Sequence, residues 1–179
     1  QMKSHAEKFG AQTISAEVTA LSLEGNIKEV TTVGGTFRGK TVVISTGATP
    51  KKLNVPGEQE LLGRGVHYCA SCDGAFYRGK TVAVIGGGNT AVADALLLSR
   101  LASKVILIHR RDALRAARVY HKPLEEAENI AFCWNSQVQE IRAGELILRD
   151  VHTGEIRRLS CDGVFVGIGR QPATWLVKD

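Results

Sequence analysis

Two cysteines separated by two residues could carry redox chemistry. Cys69 and Cys72 stand directly before Asp73, and a C-x-x-C pair beside a βαβ pattern is typical of a reversible thiol–disulfide couple. Because a carboxyl group near a thiolate can supply or accept its proton, Asp73 favours the redox interpretation. A zinc half-site, which needs two further ligands, and a pair of inert structural thiols remain alternatives. Cys133 and Cys161 form no second C-x-x-C, so we predict no metal site and interpret both as packing residues.

A glycine-rich turn follows the cysteine pair. The apolar run Val82–Ile85 is typical of a buried parallel strand, and a helix is predicted over about Thr90–Leu101. Between them, Gly86 permits a sharp turn and Gly88 permits close approach of the backbone to a pyrophosphate. Ala91 fills the third position of G-x-G-x-x-G/A, where a small side chain lets helix and strand pack closely. A plain tight turn is the alternative, but the order of strand, turn, helix and second strand predicts dinucleotide binding.

A basic cluster follows the second predicted strand, Lys104–Ile108. In dinucleotide sites an Asp or Glu at this place binds the ribose of NAD, whereas an Arg accommodates the 2′-phosphate of NADP. This chain has His109, Arg110 and Arg111, with Arg115 four residues after Arg111. Guanidinium groups suit a phosphate dianion because they form bidentate, charge-assisted hydrogen bonds. A solvated basic surface is the alternative, but the position favours NADPH over NADH.

Together these motifs resemble those of the bacterial-type, low-molecular-weight thioredoxin reductases. That family carries a C-A-[TS]-C-D-G redox motif, a G-G-G-N-[ST]-A turn and an H-R-R-x-x-x-R phosphate clamp, and the resemblance extends over about residues 12–175. It implies an NADPH-dependent oxidoreductase, a flavoprotein that reduces the disulfide of thioredoxin through FAD and the redox-active cysteine pair. It also implies a homodimer for the complete enzyme.

The resemblance implies a role for each matching residue. Cys69 would be the thiol that attacks the protein substrate, Cys72 would lie nearest the flavin, and Asp73 would be the proton donor. The cofactor-binding residues that it implies are Gly86, Gly88, Asn89, Thr90 and Ala91 at the turn, His109, Arg110, Arg111 and Arg115 at the 2′-phosphate, and Thr46 and Gly47 near the flavin. The family often has two adjacent acids where this chain has Ala93 and Asp94, so a role of the first acid cannot be transferred.

The predicted fold is α/β, with a Rossmann-like NADPH-binding domain and a partial, β-rich remnant of an FAD domain. We predict the partial FAD domain over residues 1–50, a linker over 51–57, the NADPH domain with the cysteine pair over 58–168, and a returning linker over 169–179. Two features of the family, an N-terminal G-x-G-x-x-G for FAD and a C-terminal G-D segment, have no match in the chain. We therefore expect an internal fragment that is inactive alone.

Several elements are predicted outside the motifs. Residues 1–10 are interpreted as the end of a helix, and Thr13–Leu23 and Ile27–Val33 as a β-hairpin. Thr41–Ser45 is predicted as a buried parallel strand, and Asp112–Glu128 as a helix interrupted around Pro123. Further strands are predicted at Ile130–Trp134, Gln137–Arg142, Glu145–Val151, Ile156–Ser160 and Val164–Ile168.

Composition limits the possible functions. The 179 residues are 44% hydrophobic and 23% charged, with no apolar run of membrane-spanning length. The net charge of +5 is accompanied by only 6% aromatic residues, so we predict no nucleic-acid partner and no membrane partner. Four cysteines, two of them in C-x-x-C, fit a reducing, cytoplasmic compartment. An NADP-binding module with inert cysteines and a related flavoprotein with another protein acceptor are the alternative functions.

Overall fold

A computed structural model describes residues 2–177 of the chain. The backbone divides into two units, one formed by Gln1–Thr49 with Pro172–Asp179 and the other by Pro50–Gln171. The motifs of the cysteine pair, the glycine turn and the basic cluster all belong to the second unit, so its fold positions the candidate site.

The first unit contains a three-stranded antiparallel sheet. After helix α1 (Met2–Lys8), strands β1 (Val18–Ser22), β2 (Lys28–Thr32) and β3 (Gly35–Gly39) pair in the order β1-β2-β3. The hairpin predicted from the sequence is therefore confirmed. Gly35 opens β3 with φ of 138°, a conformation that favours glycine and allows the tight turn between β2 and β3. A short 3-10 helix at Trp175–Val177 also belongs to this unit.

The strand predicted at Thr41–Ser45 is wrong. Residues 41–47 have no regular secondary structure, and Val43 is 88% exposed. A buried parallel strand requires hydrogen-bonded neighbours, and no strand of the described chain pairs with this segment. Its apolar composition therefore does not produce a strand here. The strand that follows β3 is β4 (Ala48–Pro50).

The second unit is built on a five-stranded parallel sheet. The strands that lie wholly within this unit are, in chain order, β5 (Val66–His67), β6 (Thr81–Ile85), β7 (Lys104–Ile108), β8 (Ile130–Cys133), β9 (Ser136–Arg142), β10 (Glu145–Asp150), β11 (Ile156–Ser160) and β12 (Gly163–Val166). The parallel sheet has the order β5-β12-β6-β7-β8, and β9, β10 and β11 form a separate antiparallel sheet. Every strand predicted between residues 130 and 168 is confirmed to within two residues.

The parallel sheet is buried on both faces, which explains the uninterrupted apolar runs in β6 and β7. Because successive side chains of a strand point to opposite faces, Val82 and Val84 pack with one core cluster and Ala83 and Ile85 with another. The first cluster contains the buried face of helix α3 (Asn89–Ser99), and the second contains apolar residues of β9 and β10. The result is a layered α/β unit, as the sequence predicts.

The helix predicted over Asp112–Glu128 is wrong for its first half. The structure has a 3-10 turn at Arg118–Tyr120 followed by helix α4 (His121–Glu126). Pro123 lies in the first turn of α4, where its missing N–H removes no helical hydrogen bond. Leu124 is buried in the core. The helices of this unit are the short α2 (Ala70–Asp73), continued by a 3-10 turn at Gly74–Tyr77, together with α3 and α4.

Residues 51–57, for which a linker is predicted, are held within the second unit. The buried carboxylate of Glu58 accepts hydrogen bonds from the Leu53 and Asn54 N–H groups at 2.8 and 2.7 Å. It also accepts one from the Tyr68 hydroxyl at 2.6 Å. Burial, and then this bond and the charge of Glu58, raise the pKa of Tyr68. We name these four residues the Glu58 clamp. The chain passes between the units within β4 and within β13 (Arg170–Pro172).

None of the helices formed by residues 2–177 has both the length and the apolar character needed to cross a bilayer.

The packing of residues 51–57 can be tested with two matched glycine substitutions. Gly57 and Gly63 have φ of 83° and 74°, so alanine at either position costs about 1–2 kcal/mol of backbone strain. A Cβ at Gly57 would also lie 1.8 Å from the carbonyl oxygen of Ile141, whereas nothing lies within 4 Å of one at Gly63. We expect Gly57→Ala to lower the free energy of unfolding by roughly 1–3 kcal/mol more than Gly63→Ala, measured by urea denaturation. Equal losses would show that residues 51–57 do not pack against Ile141.

Candidate functional site

The glycine turn after β6 depends on close packing between backbone segments. Gly86 has φ of 142°, and a Cβ there would lie 2.5 Å from the Gly167 carbonyl oxygen and 2.8 Å from the Ala91 Cβ. Ala91 is fully buried. A larger side chain at either position would push α3 away from the sheet. Gly88 differs, because no atom of residues 2–177 lies within 4 Å of a Cβ built there. Its open side can receive a ligand.

A cleft of about 530 Å³ lies against this turn. The predicted cofactor-binding residues that line it are Gly86, Gly88, Asn89, Thr90, His109, Arg110 and Arg115. Lys51 and Lys52 also line it, and sequence reasoning missed both because no motif distinguishes them from other surface lysines. Four cationic side chains therefore surround a glycine turn at the start of an eleven-residue helix. Such a cleft is suited to a phosphorylated ligand, since helix N-termini and guanidinium groups both favour anions.

His109 is a buried polar residue of the cleft. The side chain is 5% exposed, and its ring lies so close to Gly87 that a Cβ there would be 2.5 Å from Nε2. This Nε2 is buried and makes no hydrogen bond with any described residue. Burial lowers the pKa of His109, and the nearby Arg115 and the other arginines of the cluster lower it further. The imidazole is therefore neutral at pH 7, with a ring nitrogen available to a ligand.

The loop that carries the arginines is tied to the glycine turn. The Gly87 carbonyl oxygen accepts hydrogen bonds from the Arg115 and Ala116 N–H groups at 2.7 and 3.1 Å. The Asn89 side-chain oxygen accepts one from the Ala117 N–H at 2.8 Å. Asn89, predicted as a cofactor-binding residue, thus also holds the loop in place. These tethers explain why residues 112–117 are not helical.

The three predicted arginines are not equivalent in the structure. Arg110 and Arg115 line the cleft, whereas Arg111 lies outside its lining. The Arg111 carbonyl oxygen instead accepts the Asn135 N–H at 3.2 Å. The geometry therefore favours the first two as the phosphate-binding pair.

The C-x-x-C pair forms a disulfide in the structure. Cys69 occupies the N-cap position of α2, Cys72 lies within the helix, and their sulfur atoms are bonded. Cys69 is half-buried and Cys72 is exposed, so a reaction partner can reach the pair. Within residues 2–177, no group of three or more His, Cys, Asp or Glu side chains could hold a metal ion.

Asp73 takes part in a hydrogen-bonded chain that the sequence did not indicate. Its Oδ2 lies 2.9 Å from Nδ1 of His67, and Nε2 of His67 lies 2.7 Å from the Tyr77 hydroxyl. His67 and Tyr77 are both buried. Burial, and then the charge of Asp73, raises the pKa of Tyr77. Neither residue belongs to a recognisable motif, and only the fold brings them to Asp73.

The other two cysteines behave as the packing residues that the sequence predicts. Cys161 is buried, and burial raises its pKa to about 12. Cys133 is half-buried, with its sulfur 3.4 Å from the Ser136 hydroxyl.

Comparison with known proteins gives the family. A family model described as pyridine nucleotide-disulphide oxidoreductase matches residues 4–179. The chain belongs to this family. It is 44% identical to the thioredoxin reductase of Treponema pallidum (strain Nichols) over 182 aligned residues, which cover 99% of this chain and 59% of that protein. It is 42% identical to the thioredoxin reductase of Bacillus subtilis (strain 168) over 178 residues, which cover 96% of this chain and 56% of that protein.

A solved structure of a thioredoxin reductase resembles the chain throughout. The crystal structure of Lactococcus lactis thioredoxin reductase (FR conformation) superposes with a TM-score of 0.83 at 37% identity. It matches 99% of this chain and 60% of its own. The resemblance to thioredoxin reductases and the Rossmann-like α/β fold are thus confirmed, and the chain spans less than two thirds of the length of these relatives.

Two predicted flavin-site residues lie in the first unit. The Thr46 hydroxyl donates a hydrogen bond to the Ala173 carbonyl oxygen, and the Gly47 carbonyl oxygen accepts the Ala173 N–H at 3.0 Å. Gly47 has φ of 76°, which explains the glycine without a ligand. The structure therefore gives these residues a local structural role, and their place near a flavin stays a prediction.

Asp94 is the one acid present where the family often has two. It is half-buried on α3, and burial raises its pKa to about 6. The pKa of Asp94 therefore lies closer to neutral pH than that of a solvent-exposed helix carboxylate.

The unequal placement of the arginines predicts unequal effects on cofactor choice. Loss of a charge-assisted phosphate contact costs about 1.5–3 kcal/mol, at least tenfold in affinity. We expect Arg110→Ala and Arg115→Ala each to weaken NADPH binding by that amount and NADH binding little, as measured by calorimetry. Arg111→Ala serves as the matched control and should have a smaller effect. Equal losses for both nucleotides would contradict a 2′-phosphate site.

Proposed function

We propose that the protein to which this chain belongs is an NADPH-dependent thioredoxin-disulfide reductase. The observation that carries the proposal is the accessible Cys69–Cys72 disulfide, followed by Asp73, in the same unit as a cationic dinucleotide-type cleft. Family membership and the names of the relatives support it. In this proposal the chain is the part that carries the disulfide and binds the nicotinamide cofactor, with the residues before β4 and after β13 belonging to an FAD domain.

NADPH fits the cleft by the chemistry of its lining. The space beside Gly88 and the N-terminus of α3 suit the pyrophosphate, and Arg110 and Arg115 suit the 2′-phosphate. The unpartnered Nε2 of His109 adds a ring nitrogen for a hydrogen bond. When bound, NADPH supplies a hydride, which carries two electrons. The residues of this chain bind and orient the cofactor; they do not react with it.

FAD is the second cofactor of the proposal. The first unit, within the described residues, has no strand followed by a glycine turn and a helix, which a dinucleotide pyrophosphate requires. The described residues of the first unit therefore do not form a complete FAD site by themselves. Its presence in the whole protein follows from the family and is part of the proposal.

The chain's own residues account for the disulfide exchange. Two electrons and two protons convert the Cys69–Cys72 disulfide into two thiols. The thiolate of Cys69 then attacks one sulfur of the acceptor disulfide, forming a mixed disulfide and releasing the other acceptor sulfur as a thiolate that takes a proton. The thiolate of Cys72 attacks the Cys69 sulfur, which re-forms the original disulfide and releases the second acceptor thiol. Asp73 supplies and accepts the proton at the pair.

Thioredoxin is the proposed acceptor, because the relatives of this chain are named for it. A homodimeric complete enzyme in the cytoplasm is the corresponding proposal for assembly and location. Reduction of thioredoxin by the full-length protein with NADPH tests the proposal directly. Activity with NADPH but only with another disulfide protein would replace the acceptor, and inert thiols would favour a simple NADP-binding module.

The attacking role of Cys69 predicts a selective loss. In the full-length protein, we expect Cys69→Ser to reduce NADPH-dependent thioredoxin reduction to background, while rapid-mixing absorbance measurements still detect flavin reduction by NADPH. Cys133→Ser is the control, since Cys133 is a half-buried packing residue outside the disulfide, and it should retain activity. Persistent thioredoxin reduction by Cys69→Ser would assign the attack to another group.

The polypeptide of residues 1–179 should show a subset of these properties. Because the cleft is formed entirely by the second unit, we expect the isolated polypeptide to bind NADP(H), to bind no FAD and to leave thioredoxin unreduced. Calorimetry with NADP⁺ and visible absorbance after addition of FAD measure these properties. A yellow, flavin-loaded preparation would contradict the expectation for FAD.

A further inference from the structure

A hydrogen-bonded chain runs from Asp73 through His67 to Tyr77, and of its three members only Asp73 takes part in the proposed disulfide exchange. It begins at the residue directly after Cys72 and runs into the core, with distances of 2.9 Å at the Asp73 end and 2.7 Å at the Tyr77 end. His67 is 5% exposed, whereas the Asp73 side chain is 34% exposed. A buried imidazole thus supports a carboxyl group that is open to its surroundings.

The imidazole of His67 is fixed in place by the fold. His67 lies on β5, where it is paired with Phe165 of β12. Its ring stacks on the Phe165 ring, with centroids 5.2 Å apart and an angle of 27°, and meets the Tyr77 ring edge-on at 5.3 Å. Both ring nitrogens are used at the same time. Rotation of the ring would break two hydrogen bonds in a buried site, so its orientation is well defined.

The two hydrogen bonds also select one tautomer. A neutral imidazole has one N–H donor and one acceptor nitrogen, and an ionised carboxylate can only accept. For a neutral imidazole beside an ionised Asp73, Nδ1 carries the hydrogen toward Asp73 and Nε2 accepts the hydrogen of the Tyr77 hydroxyl. The raised pKa of Tyr77 agrees with a hydroxyl that keeps its proton. Around this chain, Asp162 and Cys161 face Tyr77, and Lys80 lies over the Tyr77 ring at 5.5 Å.

This arrangement suits both protonation states of Asp73. Its Oδ2 can accept the His67 N–H whether or not the other carboxyl oxygen carries a proton. When it does, the proton is confined to Oδ1, because Oδ2 already faces a donor. The carboxyl group can therefore give up and regain a proton without rotating, which avoids reorganisation during the thiol steps.

We propose that His67 is a positioning residue for Asp73: its Nδ1–H holds Oδ2 of the carboxyl group, and the Tyr77 hydroxyl fixes the required tautomer, so that Oδ1 exchanges a proton with the thiols of Cys69 and Cys72. This inference deepens the proposed function, because it rests on proton exchange between Asp73 and the cysteine pair. The proton balance is unchanged: the proton that a thiolate gains is the one that Oδ1 loses, and His67 keeps its own.

Disulfide exchange without cofactors tests this proposal. The full-length protein is reduced chemically, freed of reductant and mixed with 2-hydroxyethyl disulfide, whose alkyl thiolate leaving group needs a proton; the thiol released is then quantified over time. We expect Asp73→Asn and His67→Phe each to slow the exchange about a hundredfold, at the low end for a general acid–base contribution of a side chain. Phenylalanine keeps a ring against Phe165 but removes both hydrogen bonds.

The matched variants separate positioning from simple packing. His67→Asn keeps an N–H donor near the place of Nδ1, so we expect exchange within about threefold of the unmodified protein. The double variant His67→Phe with Asp73→Asn should be no slower than Asp73→Asn alone, because both changes act through one carboxyl group. A multiplied loss in the double variant, or an unchanged rate in His67→Phe, would overturn the proposal. So would an unchanged rate in Asp73→Asn.

A second measurement decides the matter if His67→Phe does not fold. Nitrogen-15 NMR of labelled histidine distinguishes the two neutral tautomers, and we expect His67 to carry its hydrogen on Nδ1. Tyr77→Phe removes only a hydroxyl group and should introduce the Nε2–H tautomer and slow the exchange about threefold. An Nε2–H tautomer in the unmodified protein, or no change of rate in Tyr77→Phe, refutes the proposal. Neither measurement needs NADPH, FAD or thioredoxin, so failure of the proposed reductase activity remains a separate result.

Discussion

The close contact between α3 and the parallel sheet is the constraint on which the cleft depends. A Cβ on Gly167 would lie 2.8 Å from the Cα of Ala91, and a Cβ on Gly86 would lie 2.8 Å from the Cβ of Ala91. Two glycines and an alanine therefore set the distance between helix and strands. At this distance the N-terminus of α3 lies beside the carboxyl end of β6, where Gly87 can accept the hydrogen bonds of the arginine loop. The glycine turn, the arginine loop and the buried position of His109 therefore all depend on this close backbone packing.

Much of the second unit could be predicted because its signals are local. The apolar runs of β6 and β7 reflect burial on both faces, and the glycine spacing after β6 reflects backbone contacts only a few residues away. The arginine loop could not be predicted as a loop. Its composition suits a helix, but hydrogen bonds to Gly87 and Asn89, more than twenty residues earlier, are tertiary interactions that override that propensity.

The remaining differences also have tertiary causes. The apolar segment 41–47 satisfies the local pattern of a buried strand, yet it has no pairing partner in the described chain and stays irregular. His67 precedes Asp73 by six residues, a spacing that would not place the two side chains together within one helix or strand. Only the pairing of β5 with β12 brings its ring to the carboxyl group. Lys51 and Lys52 reach the cleft because the Glu58 clamp folds the following residues onto the same unit.

The Glu58 clamp has a consequence for the construction of chimeric enzymes. One carboxylate binds the backbone just after the chain enters the second unit and also Tyr68, the neighbour of Cys69. A glutamine has a single side-chain acceptor oxygen and could not serve all three donors in the same way. A graft that joined two relatives between Asn54 and Glu58 would combine the backbone donors of one parent with the Glu58 carboxylate of the other. A junction before Pro50 and a return junction after Gln171 would leave the Glu58 clamp intact. A unit transplanted between these junctions would keep its own Glu58 clamp beside Cys69 and Cys72.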